Sequence, residues 1–186
     1  MKDLVFSTGN NSKFVSAKQV CEAAGINLIQ KDAEITEIQE ENPENVALDK
    51  AAKAFNTIGQ PLVITDDSWA FAGLSGFPGV YMHSINEWFT PEDFLRLTLP
   101  LVNRDVTLTQ YLVYVDDSQQ KVFTRQSKGK LLSEIRGKSQ HPSHTILTME
   151  EDNGLSIAEV YESAQDTTAR QPAIIWHDFV QWYKGK

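Results

Sequence analysis

The sequence predicts an α/β fold built as one domain over residues 1–186. Short apolar runs alternate with segments of helical periodicity through the first third of the chain, as strands and helices do in such folds. Residues that favour helix ends stand at the boundaries of these segments. No repeat, linker or low-complexity tract interrupts the chain, and 41% of its residues are hydrophobic, which is enough for a substantial core.

The first 66 residues contain the clearest elements. The predicted order is strand 3–7, helix 12–24, strand 27–31, an acidic connector 32–42, helix 43–58 and strand 62–66. The second helix has the best-defined ends, since Asn42 is a favourable N-cap, Pro43 suits the first helical position and Gly59 closes the last turn.

A loop rich in Gly and Pro follows Asp66 and precedes the remaining elements. These are helix 91–98, a hairpin of strands 105–115 and 120–126, strands 128–135 and 144–149, and a terminal helix 172–184. The hairpin turns at Asp116-Asp117-Ser118. The terminal helix carries large apolar residues spaced for packing in the core or against a second copy, namely Trp176, Phe179, Val180 and Trp182.

Charge and cysteine content narrow the function classes. The net charge of −8 and the absence of a Lys/Arg cluster argue against a nucleic-acid partner, because such binding rests on neutralising phosphates. Cys21 is the only cysteine, so we expect a core thiol in a reducing compartment. No segment approaches the ~20 apolar residues of a membrane-spanning helix. We therefore expect a cytoplasmic protein without a membrane partner.

A small polar turn, Ser7-Thr8-Gly9-Asn10-Asn11-Ser12-Lys13, follows the first predicted strand. With Ser12 as the expected N-cap of the next helix, the backbone N–H groups of the turn would face an anion. Thr8, Asn10 and Ser12 add neutral donors, and Lys13 adds a positive charge. The turn predicts a phosphate site, although an ordinary strand–turn–helix junction without a ligand has the same pattern.

Two adjacent carboxylates, Asp66 and Asp67, follow the apolar run 62–64. Ligands of open α/β sheets bind at the carboxyl ends of strands. Because neighbouring side chains of an extended segment point to opposite faces, we expect different roles for the two. One would hold Mg²⁺ or activate a water, and the other would anchor the loop. The alternative is a turn in which Asp66, Asp67 and Ser68 only cap the structure.

Several motifs occur in an order that carries a resemblance. They are Ser7-Thr8-Gly9-Asn10-x-x-Lys13, an acidic stretch before a helix with Lys50-Ala51, Asp66-Asp67-Ser68, Gly76-x-Pro78-Gly79-x-Tyr81, Gly129-Lys130-Leu131, Gly154-x-Ser156-x-Ala158-Glu159 and Arg170. This order resembles the inosine triphosphate pyrophosphatase family over nearly the whole chain. The motifs are most specific in the first half.

The resemblance implies an elongated mixed β-sheet with helices on both sides and two lobes enclosing a nucleotide cleft. It also implies Mg²⁺-dependent hydrolysis of a nucleoside triphosphate such as ITP, dITP or XTP to the monophosphate and pyrophosphate, and a homodimer. The matching substrate-binding residues are Thr8, Gly9, Asn10, Asn11, Ser12, Lys13, Ser68 and Arg170. Asp67 would activate water and hold the metal, and Lys13 would neutralise charge on the phosphates.

The chain departs from the family at the metal site. Counted back from Lys50, the metal-binding glutamate of the family falls on Asn45, with Glu44 one position away. Hard cations prefer carboxylate oxygens, so a neutral amide weakens the site. Glu44 or Glu41 is the available replacement, and Glu44 is taken with Asp67 as the predicted metal-ligand pair.

The expected base-recognition residues are also changed. A segment with two histidines, Gln140-His141-Pro142-Ser143-His144-Thr145, replaces the aromatic loop of the family. Thr168-Ala169-Arg170 stands for Ser-His-Arg, and Met82-His83-Ser84 stands for Ser-Ala-Arg. Trp69 follows Ser68 where a small residue is usual, so it would crowd the site or stack on a ligand. Loss of hydrogen-bond donors to the base predicts relaxed or redirected base choice.

Two alternatives stay open at this point. His141 and His144 either contact the base, hold zinc, or lie on an exposed loop. The protein itself is either an active pyrophosphatase or a catalytically weakened relative that binds a nucleotide or a protein partner.

Overall fold

The structure is a computed structural model that describes residues 2–163 and 174–186. Its strands are β1 (Lys2–Ser7), β2 (Ile26–Lys31), β3 (Leu62–Phe71), β4 (Pro78–Gly79), β5 (Asp105–Val115), β6 (Gln120–Leu131) and β7 (Leu147–Met149). Its helices are α1 (Asn11–Ala23), α2 (Pro43–Ile58), α3 (Met82–Trp88), α4 (Pro91–Thr98), α5 (Ile157–Ser163) and α6 (Ile174–Lys184). No helix in these two ranges is long and apolar enough to cross a membrane.

The sheet is mixed. Its strand order is β2-β1-β3-β5-β6-β7, and β4 pairs with β3. Strand β1 runs parallel to β2 and β3, whereas β4 and β7 run antiparallel to their partners. The α/β class and the mixed sheet predicted from the sequence are confirmed.

The described chain divides into two compact units, each made of several segments. The first unit contains residues 2–66, 110–125 and 174–186. The second unit contains residues 67–109 and 126–163. Strands β3, β5 and β6 therefore each carry residues of both units.

Helices cover both faces of the sheet in the first unit. Along β1, Leu4 and Phe6 pack with residues of α1 and α6, whereas Val5 packs with the buried alanines of α2. Alternate side chains of a strand point to opposite faces, so two separate clusters form around one strand. A strand buried on both faces reads as the continuous apolar run that marks β1 in the sequence.

The second unit has its own core. Phe71 of β3, Phe94 of α4 and Leu147 of β7 are fully buried in one cluster, with partly buried Trp69 packed against it. Arg104 closes the end of α4, because its guanidinium donates to the backbone oxygens of Thr98 at 2.8 Å and Leu131 at 3.0 Å.

Strand β3 is longer than the sequence pattern predicts. The prediction ended this strand at residue 66, but it continues to Phe71. The reason is pairing with β4, in which Trp69 and Ala70 lie opposite Gly79 and Pro78. Asp66 and Asp67 therefore lie inside a strand and not at its end, and the alternative of a capping turn is wrong.

Other boundaries differ where local patterns were short. Helices α2 and α4 have the predicted bounds, 43–58 and 91–98. Helices α3 and α5 were not predicted, since seven residues give too few turns for a clear periodicity. The predicted strand 128–135 is the end of β6, which leaves the sheet after Leu131, and residues 142–145 form a 3₁₀ turn before β7.

The buried thiol of Cys21 gives a first testable prediction. Cys21 is fully buried between α1 and the sheet, and burial raises its pKa to about 12. Since the thiolate is the nucleophile, iodoacetamide at pH 8 should label the native protein slowly and the urea-unfolded protein quickly. Mass spectrometry reads out a single site, because the sequence has one cysteine. Equal labelling rates in the two states would contradict burial.

Candidate functional site

The polar turn at residues 8–13, here called the phosphate turn, joins β1 to α1 in the first unit. Its N-cap is Asn10, whose side-chain oxygen accepts from the backbone N–H of Lys13 at 2.9 Å. The assignment of Ser12 as the cap is wrong, because α1 begins at Asn11 and places Ser12 in its first turn. The turn thus stands at a helix N-terminus, where backbone N–H groups and the helix dipole favour an anion.

Hydrogen bonds hold the phosphate turn against β2. The N–H of Thr8 donates to the backbone oxygen of Lys31 at 3.1 Å, and the side chain of Gln30 donates to the oxygen of Thr8 at 3.0 Å. The hydroxyl oxygen of Thr8 accepts from the N–H of Asn10 at 3.1 Å. The hydroxyl of Thr8 and the side-chain amide nitrogen of Asn10 each carry hydrogens that can be donated. Both groups therefore qualify as donors to a phosphate.

Gly9 sits beneath a carboxylate that sequence reasoning missed. A Cβ atom built on Gly9 would lie 2.6 Å from Oδ2 of Asp32, closer than real Cβ contacts come. Asp32 directly follows β2, whose last residue Lys31 pairs with Ser7 of β1. The parallel register therefore places Asp32 beside the phosphate turn, and the missing side chain of Gly9 leaves room for it.

Lys50 of α2 brings two carboxylates together in the first unit. Its Nζ lies 2.6 Å from Oε1 of Glu37 and 3.9 Å from Oδ1 of Asp66. The Lys50 side chain is 24% exposed, so its charge is partly shielded from water. The sequence motif identified Lys50 but gave it no partner, and Glu37 was missed.

The acidic connector is fixed to α2 by a second lysine. Lys53 donates to the backbone oxygen of Thr36 at 2.9 Å, next to Glu37 in the chain. The side chain of Lys53 also pairs with Asp49 at 2.7 Å, one helical turn earlier. Two lysines on one helix thus hold Thr36 and Glu37 in place.

Glu44 lies exposed in the first turn of α2. Its N–H donates to the cap oxygen of Asn42 at 3.0 Å. Burial raises the pKa of Tyr111, and the negative charge of Glu44 raises it further. Glu44 stays the second predicted metal ligand.

The carboxylate of Glu40 lies just before α2 and accepts from the N–H groups of Glu41 at 2.9 Å and Asn42 at 3.1 Å. These two backbone bonds, with a smaller contribution from the side chain of Asn45, hold the pKa of Glu40 below its usual range. Asn45 itself is exposed, and its amide offers no negative charge to a metal ion.

Asp67 and Ser68 lie in the second unit on neighbouring positions of β3. The side chain of Asp67 is half-buried, whereas Ser68 is 8% exposed. Trp69 packs against the core of the second unit. This core contact is an alternative to the crowding or stacking role that the sequence suggested for Trp69.

The rings of His141, His144 and Tyr161 lie together on the second unit. The His144 ring lies 5.8 Å from the Tyr161 ring and nearly parallel to it, and 4.9 Å from the His141 ring. Ser143 anchors this segment, because its N–H donates to the side-chain oxygen of Asn86 at 2.9 Å. Within residues 2–163 and 174–186, no group of three or more His, Cys, Asp or Glu is arranged to hold a metal ion.

Arg170, the predicted base-reading residue, lies outside the described residues, as do Thr168 and Ala169. Its assignment stays a prediction from the motif.

Similar proteins were found by sequence. A model of the Ham1 family matches residues 4–174. A dITP/XTP pyrophosphatase of Methanopyrus kandleri is 28% identical over 98% of this chain and 96% of its own length. A dITP/XTP pyrophosphatase of Methanosarcina mazei is 25% identical over 100% of this chain and 99% of its own length.

Similar folds were found among solved structures. A HAM1 protein from Coxiella burnetii superposes with a TM-score of 0.79 and 18% identity, covering 100% of both chains. The Staphylococcus aureus Ham1 protein gives a TM-score of 0.77 and 16% identity over 99% of both chains. These structures show the same fold. Because the family model spans most of the sequence, the resemblance to the inosine triphosphate pyrophosphatases is confirmed and this chain belongs to the Ham1 family.

Proposed function

We propose that this chain is a Mg²⁺-dependent nucleoside triphosphate pyrophosphatase that releases a nucleoside monophosphate and pyrophosphate, acting as a cytoplasmic homodimer. The observation that carries the proposal is the phosphate turn, which stands at the N-terminus of α1, where backbone N–H groups and the helix dipole favour an anion. Two relatives that align with nearly the whole chain are named dITP/XTP pyrophosphatases, which supports the enzyme class predicted from the sequence.

These residues have separate roles in the proposed reaction. The phosphate turn and Lys13 bind the triphosphate and neutralise charge that develops on its oxygens. Asp67 orients a water and accepts its proton as the water oxygen attacks the α-phosphorus, and the bond from that phosphorus to the bridging oxygen of the β-phosphate breaks. The electron pair of the broken bond leaves with pyrophosphate.

The carboxylate oxygens of this chain are ligands of the type that Mg²⁺ prefers. Protein-bound Mg²⁺ with a nucleotide commonly uses one or two carboxylates together with substrate phosphates, and does not need a complete cage of protein ligands. Asp67 and Glu44 are the proposed carboxylates, and Glu37 is a second candidate for the role of Glu44, because it shares Lys50 with Asp66. The ion would supply charge neutralisation and phosphate alignment.

Two matched substitutions decide between the glutamates. If Glu37 is the ligand, Glu37→Gln should raise the Mg²⁺ concentration for half-maximal activity at least about tenfold. Substitutions of residues that only contact a metal ligand already lower metal affinity by that factor. Glu44→Gln should then shift it less than about twofold, as expected for an exposed surface carboxylate. Mg²⁺ titrations of pyrophosphate release measure both shifts. The reverse order would return the role to Glu44.

A substrate panel tests the activity itself. The purified chain is incubated with Mg²⁺ and each of ITP, dITP, XTP and the common NTPs and dNTPs, and pyrophosphate is measured. We expect turnover of at least one, with modest discrimination between bases because donors to the base are missing. Nucleotide binding in a thermal-shift assay without pyrophosphate from any of them would instead support the weakened relative. Light scattering after size exclusion tests the dimer.

A further inference from the structure

The carboxylate of Asp32 stands at the phosphate turn for reasons of chain geometry. Strands β1 and β2 pair in parallel from Lys2↔Ile26 to Ser7↔Lys31, so the residues that follow each strand leave the sheet side by side. The bond from the Thr8 N–H to the Lys31 oxygen extends this pairing by one step. Asp32 is the next residue, and its position is therefore fixed by the sheet.

Gly9 and Asp32 are matched to each other. All three outer atoms of the Asp32 carboxyl group lie within 3.8 Å of where a Cβ on Gly9 would be, at 2.6, 3.4 and 3.8 Å. A side chain at position 9 would displace the Asp32 carboxylate, whereas glycine leaves space for this carboxylate beside the backbone of the turn. The result is a negative charge at a turn that is otherwise built for anions.

This charge acts unequally on two forms of the same ligand. A metal-free triphosphate carries its full negative charge and is repelled by Asp32, whereas a divalent cation on the phosphates offsets that repulsion. Two lysines belong to this part of the chain. Lys31 directly precedes Asp32 and donates to the side-chain oxygen of Gln60 at 3.2 Å, and Lys13 belongs to the phosphate turn. We propose that Asp32 is a specificity residue that makes the phosphate turn select metal-complexed over metal-free triphosphate.

The inference rests on the proposed function, in that it assigns the turn to phosphates, and its test uses binding. Inorganic tripolyphosphate is titrated calorimetrically into the full chain, once with EDTA and once with saturating Mg²⁺. Asp32→Asn keeps the shape of the side chain and removes its charge. Because Asp32 is exposed and water screens part of its charge, we expect this variant to tighten metal-free binding about threefold to fivefold at low ionic strength, and to change binding with Mg²⁺ less than about twofold.

Two further variants separate local charge from other causes. Asp117→Asn removes the same charge from the exposed hairpin turn between β5 and β6 and should leave both affinities unchanged. Asp32→Glu keeps the charge and should retain the preference for the metal-bound ligand, which a purely packing role of Asp32 does not explain.

The outcomes are distinct. Unchanged metal-free binding in Asp32→Asn, or the same gain in Asp117→Asn, would overturn the role of Asp32. Failure of tripolyphosphate to bind either the parent chain or Asp32→Asn would overturn it as well, because the turn would then not take phosphates. A parent chain that binds tripolyphosphate but releases no pyrophosphate from any nucleotide would refute the proposed activity alone.

Discussion

Asp67→Asn is expected to lower kcat for pyrophosphate release by about 100-fold to 10,000-fold, the range that a positioned general base contributes. The amide has the shape of the carboxylate but does not accept a proton from water. Because Asp67 is half-buried on β3 and the substitution keeps the size and shape of its side chain, the fold should be retained. Steady-state assays with the best nucleotide of the panel measure kcat, and far-UV circular dichroism checks the fold.

The matched control is Asp117→Asn, an identical change on an exposed turn, for which unchanged kcat is expected. Activity of Asp67→Asn within a few-fold of the parent chain would eliminate Asp67 as the catalytic residue.

Phe179→Ala is expected to have the largest effect on stability. Phe179 is 0% exposed, and its ring lies 5.4 Å from Tyr183, 5.8 Å from Trp176 and 5.9 Å from Phe123. Removing a buried phenyl ring loses its transfer free energy and leaves a cavity, which costs about 3–5 kcal/mol. Since whole domains have only about 5–15 kcal/mol of stability, the variant should unfold at a much lower urea concentration.

Ile174→Ala on the same helix is the control. Ile174 is 65% exposed, so the free energy of unfolding should change by less than about 1 kcal/mol. Urea titrations followed by tryptophan fluorescence and by circular dichroism compare the two variants. Similar small losses for both would mean that α6 does not contribute a packed core.

The prediction from sequence worked where the signal is local. Helix α2 has its predicted bounds because its ends are set by the side chain of Asn42, by Pro43 and by the left-handed Gly59. The buried terminal helix followed from the spacing of its aromatic residues, and the core role predicted for Trp176 and Phe179 is confirmed. These features depend on residues a few positions apart.

Features that depend on distant pairing were not predictable in the same way. The end of β3 is set by Gly79, ten residues beyond Trp69, which no local pattern reveals. Counting along the chain from Lys50 gave Asn45 and its neighbour Glu44, whereas the ion pair between Lys50 and Glu37, which are 13 residues apart, was not visible in the spacing. The connector has no regular structure of its own, so spacing in sequence does not translate into distance there. Asp32 was missed because only the β1–β2 register brings it to Gly9.

The way in which the chain is threaded through its two units limits how the molecule can be dissected. Residues 67–109 leave the first unit within β3 and return to it within β5, and the chain leaves once more within β6. Excising either unit would cut three strands in mid-ladder and expose backbone donors and acceptors that the sheet now pairs. Isolated fragments are therefore poor reagents for this protein, and studies of binding by either unit require point variants in the intact polypeptide.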